Sequence, residues 1–299
     1  MIHHPAQPRD RHARPGGSAL RVGAVQYLNT RPLVHGLAAA GVEVVYDLPS
    51  RLADRLATRR LDVALIPSIE LFRGGHRIVS DACIGCRGPV MSVKLFFRTL
   101  PSRVATLAVD EGSRTSAALA RILLAERHGV RPQVEPLAIG AGLADTRADA
   151  VLLIGDRAIG DRAVGSGHGG LKACAFQSMW DLGDEWCRWT GLPFVFAVWA
   201  ARDGIDVGTL SARLSAARDS GRANLAAIAA AEAASHGLTV PQCLSYLRDN
   251  LHYDLGPQER EALGLFRRYA AAHGLAPTEA VVRRQPLAGE SPLPGSALR

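Results

Sequence analysis

The stretch Arg21-Val-Gly-Ala-Val-Gln-Tyr-Leu-Asn-Thr-Arg-Pro-Leu33 opens as a buried strand, in Val22, Ala24 and Val25. It then turns polar at Gln26, Asn29 and Thr30, and Pro32 follows. Pro32 predicts the start of a helix over 31–40. A second strand is expected at Val42–Tyr46, then a short helix capped by Ser50 with Leu52 and Leu56 on one face. Asp62-Val-Ala-Leu-Ile66 reads as a third strand that halts at Pro67-Ser68. This βαβαβ order builds a parallel sheet with its ligand crevice at the carboxyl ends of the strands. A strand that ends in amides and hydroxyls is either an ordinary polar turn or an end that faces a ligand.

The same alternation continues. Met91–Arg98 and Val104–Val109 are strand-like, and Ser113 precedes a helix with Leu119, Ile122 and Leu123 on one face, ending near Gly129. Ala150–Ile154 is a continuous apolar run before Gly155-Asp156, as in a doubly buried strand. Asp181–Thr190 places Leu182, Trp186 and Trp189 at helical spacing, and Phe194–Ala200 is a strand. Helices are expected at 207–235, 240–251 and 257–273. The layout predicts an α/β chain of two lobes with a cleft between them. Lobe 1 comprises 20–102 and 199–283, with the last helices packed on it, and lobe 2 comprises 103–198. Residues 1–19 and the Pro/Gly-rich stretch 284–299 are expected to be disordered tails.

Composition narrows the function. The net charge is +7, but +2 falls in residues 1–20 and +2 in 283–299, leaving +3 for the body. That suits a small anion better than a nucleic-acid stripe. Aromatic residues make up only 5%, too few for stacking platforms. No run approaches the ~18 apolar residues of a membrane span, and residues 1–19 lack a secretory h-region. The expectation is a cytoplasmic protein without nucleic-acid or membrane partners, monomeric or homodimeric. Five cysteines are then free thiols. Cys83-Ile-Gly-Cys86 has the spacing of half a metal knuckle or a redox pair, with small buried side chains as the alternative.

Four polar stretches fall at strand ends: Gln26–Thr30, Pro67–Glu70, Asp110–Ser116 and Gly155-Asp156. Their common placement, more than any one of them, points to a site. Ser113-Arg-Thr-Ser116 opens a helix, whose free N–H groups and dipole favour a carboxylate or phosphate. Ser113 is equally well placed as an ordinary N-cap, and the two roles are compatible. The sequence contains no Walker motif, no Gly-x-Gly-x-x-Gly after the first strand, no His-Glu-x-x-His and no Gly-x-Ser-x-Gly. His168 lies in a Gly-rich loop, and the other histidines are scattered.

Tyr27-Leu-Asn-Thr-Arg-Pro-Leu33, Asp62–Ser68, Cys83–Val93, Ser113–Ser116, Leu153–Asp156 and Asp181–Phe196 together resemble the chorismate dehydratases of the futalosine route to menaquinone. The matches run in order from about 21 to 200. The resemblance implies a type II periplasmic-binding-protein fold used as an enzyme, without metal or cofactor. It implies loss of water from chorismate to give 3-[(1-carboxyvinyl)oxy]benzoate. By match to the family pattern, Asn29 and Ser92 bond near the reacting centre. Ser113, Arg114, Thr115 and Ser116 hold a substrate carboxylate, and Ser68 lines the cleft. The base is either the substrate's own enolpyruvyl carboxylate or Asp156. Cys86 stands where family members often carry Ser.

The rival readings are a binding protein serving a transporter, a ligand-sensing regulator, and the sister dihydroxynaphthoate synthase. The first needs export, and the second needs a DNA-binding segment that twenty residues cannot build. The third carries a Ser-Pro-Cys-Pro-Asn-Asp pattern that Gln26–Thr30 does not match.

Overall fold

The computed structural model describes residues 20–159 and 176–278. The two expected tails, His168 and Cys174 lie outside them. The strands are β1 (Val22–Val25), β2 (Val44–Asp47), β3 (Val63–Pro67), β4 (His76–Cys86), β5 (Val93–Phe97), β6 (Thr106–Asp110), β7 (Gln133–Leu137), β8 (Ala150–Ile154), β9 (Ser178–Asp181), β10 (Phe194–Arg202) and β11 (His252–Asp254). The α-helices are α1 (Pro49–Ala57), α2 (Arg114–His128), α3 (Leu182–Thr190), α4 (Leu210–Ala223), α5 (Leu225–Glu232), α6 (Val240–Ser245) and α7 (Pro257–Ala272).

These strands make two sheets. One has the order β11-β4-β10-β3-β1-β2, and the other β7-β6-β8-β5-β9. Each holds a parallel core, β2-β1-β3 and β7-β6-β8, extended by antiparallel strands. The sheets are therefore mixed where the βαβ reading predicts parallel. The antiparallel additions β4, β9 and β11 mix polar with apolar residues and carry little strand signal in the sequence. The chain crosses between sheets at 87–92 and again at 191–193. β5, placed in lobe 1 by a boundary after 102, pairs with β8 and β9 in the second sheet. β10, which a boundary at 198 would divide, pairs throughout with β3 and β4 in the first.

Local chemistry explains most elements. Helix α2 buries Leu119, Ile122 and Leu123 completely and ends at Gly129 in the left-handed region (φ 69°). Helix α3 buries Leu182 and Trp186 and is capped by Asp181, which accepts from the N–H groups of Gly183 and Asp184. The same carboxylate accepts from Val90 N (2.9 Å) and Met91 N (2.6 Å), fastening the first crossover to the second sheet.

Four expected elements differ. Residues 28–34 form a 3₁₀ turn in place of a helix over 31–40, because Gly36 (φ 78°) and Gly41 (φ 74°) turn the chain left-handed. Helix α1 starts at Pro49 with Leu48 at the cap, so Ser50 lies inside the first turn. The long helix over 207–235 breaks at Asn224, whose side-chain amide donates to Ser220 O (2.7 Å) in competition with the backbone. Helix α6 gives way to a π-turn over Tyr246–Asn250.

Candidate active site

All four polar strand-end stretches contribute lining residues to one cleft between the sheets. The first sheet supplies Val25 at the end of β1, Tyr27 and Asn29 after it, and Pro67 at the end of β3. The second supplies Ser92 before β5, Gly112–Ser116 running into the first turn of α2, and Ile154-Gly155 at the end of β8. Gln26 and Glu70 belong to two of these stretches but do not line the cleft.

Asn29 is held by the 3₁₀ turn, anchored through fully buried Leu28 and Leu33. Its Oδ1 accepts from the Thr30 hydroxyl (3.3 Å), which leaves Nδ2 as the donor. Ser92 follows Met91, a non-glycine residue at φ 61°, and its carbonyl accepts from Gly155 N (2.9 Å). That left-handed residue, with two N–H groups on Asp181, turns Ser92 to the cleft. Asn29 and Ser92 thus stand on opposite sheets and share one cavity.

Ser113 occupies the N-cap position of α2, but its side chain makes no cap bond, and its buried Oγ has no partner. A free hydroxyl beside free N–H groups is an arrangement that receives an anion. Thr115 and Ser116 are buried and line the cleft. The Thr115 hydroxyl is also engaged from the first lobe, accepting from Ile69 N (3.3 Å).

Three expected site residues are engaged by other parts of the protein, and two of them lie outside the lining. Ser68 is fully buried behind the wall, donating to Val195 O (2.7 Å) with Thr115 Oγ1 at 3.4 Å. It braces Thr115 and does not line the cleft. Arg114 does line it, yet its Nη2 donates to both carboxylate oxygens of Asp54 (2.7 and 2.8 Å) and its Nη1 lies 3.5 Å from Glu70. Its charge is already answered within the protein, so it serves to clamp α2 to the first lobe. Asp156 accepts from Leu28 N (3.1 Å), and His236 Nδ1 lies 3.1 Å from its other oxygen. It too lies outside the lining and ties the β8 end to the Asn29 turn.

Tyr27 is a lining residue that strand-end reasoning passed over. Its ring covers Gly155, where an added Cβ would lie 2.8 Å from the ring, and Gly155 has φ 64°. Burial first, then Asp110, pushes its phenol well above the ordinary range, so it is a neutral hydrogen-bond donor. Arg114 is the one charged side chain among the described residues of the lining, so dipoles and hydroxyls meet the ligand.

Cys83 and Cys86 are both buried, but they face different neighbours. Cys83 lies toward Glu259 and Asp254, whereas Cys86 faces Cys187 of α3. The pair is not poised as a unit for one metal or one redox exchange.

A family model described as menaquinone biosynthesis matches residues 20–272. The chain belongs to this menaquinone-biosynthesis family. Among its relatives is a protein of Thermus thermophilus named chorismate dehydratase, 33% identical over 263 residues, which are 85% of this chain and 95% of that one. Among solved structures, protein AF1704 from Archaeoglobus fulgidus superposes with a TM-score of 0.64 at 20% identity, over 86% of this chain and 98% of that one. The alkanesulfonate-binding protein SsuA from Xanthomonas axonopodis, bound to MOPS, superposes with a TM-score of 0.60 at 13% identity, over 89% and 96%. Such likenesses give the menaquinone-biosynthesis chain its fold, that of the periplasmic binding proteins, with two lobes. No helix among the described residues is long and apolar enough to cross a membrane.

Proposed function

We propose that this chain is a chorismate dehydratase of menaquinone biosynthesis, acting in the cytoplasm on free chorismate. One observation carries the reading: a cleft shared by two lobes, with the Asn29 amide and Ser92 hydroxyl in one cavity with an unpartnered Ser113 at a helix start. Chorismate presents two carboxylates and an allylic hydroxyl on a cyclohexadiene ring. One carboxylate is received at Ser113–Ser116 by N–H groups and hydroxyls. The allylic oxygen is received by Asn29 and Ser92.

In the reaction the ring C–H bond beside the ether breaks and its electron pair forms a ring double bond. The neighbouring C–O bond breaks, and the departing hydroxide takes up one proton, equivalent to the one the base removes from the ring, so that one water leaves and the base is regenerated. Aromatisation drives the step, so the protein has to orient the dianion, exclude water and donate hydrogen bonds to the departing oxygen. The enolpyruvyl carboxylate is the base. Asp156, the alternative, is occupied by Leu28 N–H and His236 outside the lining. Accordingly Asp156→Asn, which keeps an acceptor for Leu28, lowers kcat by less than about tenfold. A fall of three decades or more, in folded protein, would return Asp156 to the chemistry.

Ligand melts discriminate the enzyme from a carrier. The product, 3-[(1-carboxyvinyl)oxy]benzoate, binds the folded state and raises Tm with its concentration. A simple alkanesulfonate does not. The reverse pattern supports the carrier.

A further inference from the structure

Behind the cleft wall lies a group that the chemistry above leaves unused. Tyr246 is 1% exposed and opens the π-turn Tyr246–Asn250, and its hydroxyl stands toward Ser92 and Asn29 without closing a hydrogen bond of ordinary geometry. Buried hydroxyls without partners are rare and call for an explanation, and π-turns concentrate at functional sites. The turn is well fixed. Thr239 and Gln242 form a capping box at the start of α6, and Asn250 Nδ2 donates to Pro89 O (2.9 Å). Pro89 belongs to the crossover that carries Ser92. From this position the Tyr246 hydroxyl faces Ser92 and Asn29, with Asp156 and Cys243 also near.

We propose that Tyr246 is a positioning residue for dehydration, its hydroxyl holding Ser92 and Asn29 with their donor hydrogens turned into the cleft. The inference rests on the dehydratase reading. A phenol offers one donor and a lone pair. Because Thr30 takes Asn29 Oδ1, the amide presents only N–H on its other side. Tyr246 accepts one of those hydrogens and donates its own to Ser92 Oγ. The second amide hydrogen and the Ser92 hydrogen are then directed at the leaving oxygen. Burial holds the phenol protonated by raising its pKa, so the donor persists at every working pH.

The experiment compares Tyr246→Phe with Tyr253→Phe on chorismate. Tyr253 is an equally buried phenol whose hydroxyl also lacks a partner, and it does not line the cleft. Tyr246→Phe lowers kcat about tenfold, the equivalent of about 1.4 kcal/mol, with KM changed less than about twofold. Tyr253→Phe leaves both constants unchanged. In a Ser92→Ala background, adding Tyr246→Phe costs less than about threefold, because the two act through one contact. Equal kcat for Tyr246→Phe and wild type, or full additivity with Ser92→Ala, overturns the proposal. If the wild type itself leaves chorismate unchanged, the dehydratase reading falls and takes this inference with it. An active wild type with an indifferent Tyr246→Phe removes the inference alone.

Discussion

Asn29→Ala lowers kcat on chorismate by about 10²–10³-fold, the cost of deleting a preorganised donor aimed at developing negative charge. The amide sits on a rigid 3₁₀ turn held by Leu28 and Leu33, and Thr30 fixes which end faces outward. Hydroxide is a poor leaving group, so charge on the departing oxygen peaks in the transition state. A donor that meets it there acts on kcat far more than on KM. Asn29→Asp is the sharper variant: it keeps the shape and replaces the donor with a negative acceptor, and its loss is as great or greater. The check is steady-state kinetics with an unchanged melting curve. A rise in KM at constant kcat would assign Asn29 to ground-state binding only.

The second large effect concerns stability. Gly221 lies in α4 directly against the backbone of Pro32, in the turn that carries Asn29. An added Cβ would fall 2.5 Å from Pro32 Cα and closer still to its carbonyl oxygen. Backbone cannot rotate away as a side chain can, so α4 must move off the turn. Gly221→Val is expected to cost about 3 kcal/mol or more, lowering Tm by about 6–12 °C. What survives folded has lost activity too, because the displaced turn moves Asn29. Thermal denaturation reads the first effect. A Tm within about 2 °C of wild type would show that the α4 contact is not constraining.

Much of this architecture is legible in the residues. The apolar runs at Val22–Val25, Val63–Ile66 and Ala150–Ile154 each end in polar residues, and those ends do meet in one cleft. Strand and helix periodicity is local, so it survives in sequence. Long-range pairing is not legible in this way. Ser68, Arg114 and Asp156 have suitable chemistry at suitable positions, but their partners Val195, Asp54 and His236 lie 127, 60 and 80 residues away. No local pattern tells a free polar group from an occupied one. Tyr246 was invisible for the same reason, since its hydroxyl addresses residues more than 150 positions earlier. Antiparallel strands β4 and β11 are not legible because polar residues are mixed through them and they take their conformation from neighbours.

The most direct measurement is to incubate the purified chain with chorismate, without added nucleotide or metal, and to follow the mixture by absorbance and mass-resolved chromatography. The account predicts catalytic turnover to a product lighter by one water, with a benzenoid spectrum and the enolpyruvyl ether intact. Chorismate recovered unchanged from folded, product-binding protein would contradict it and leave a binding protein in its place.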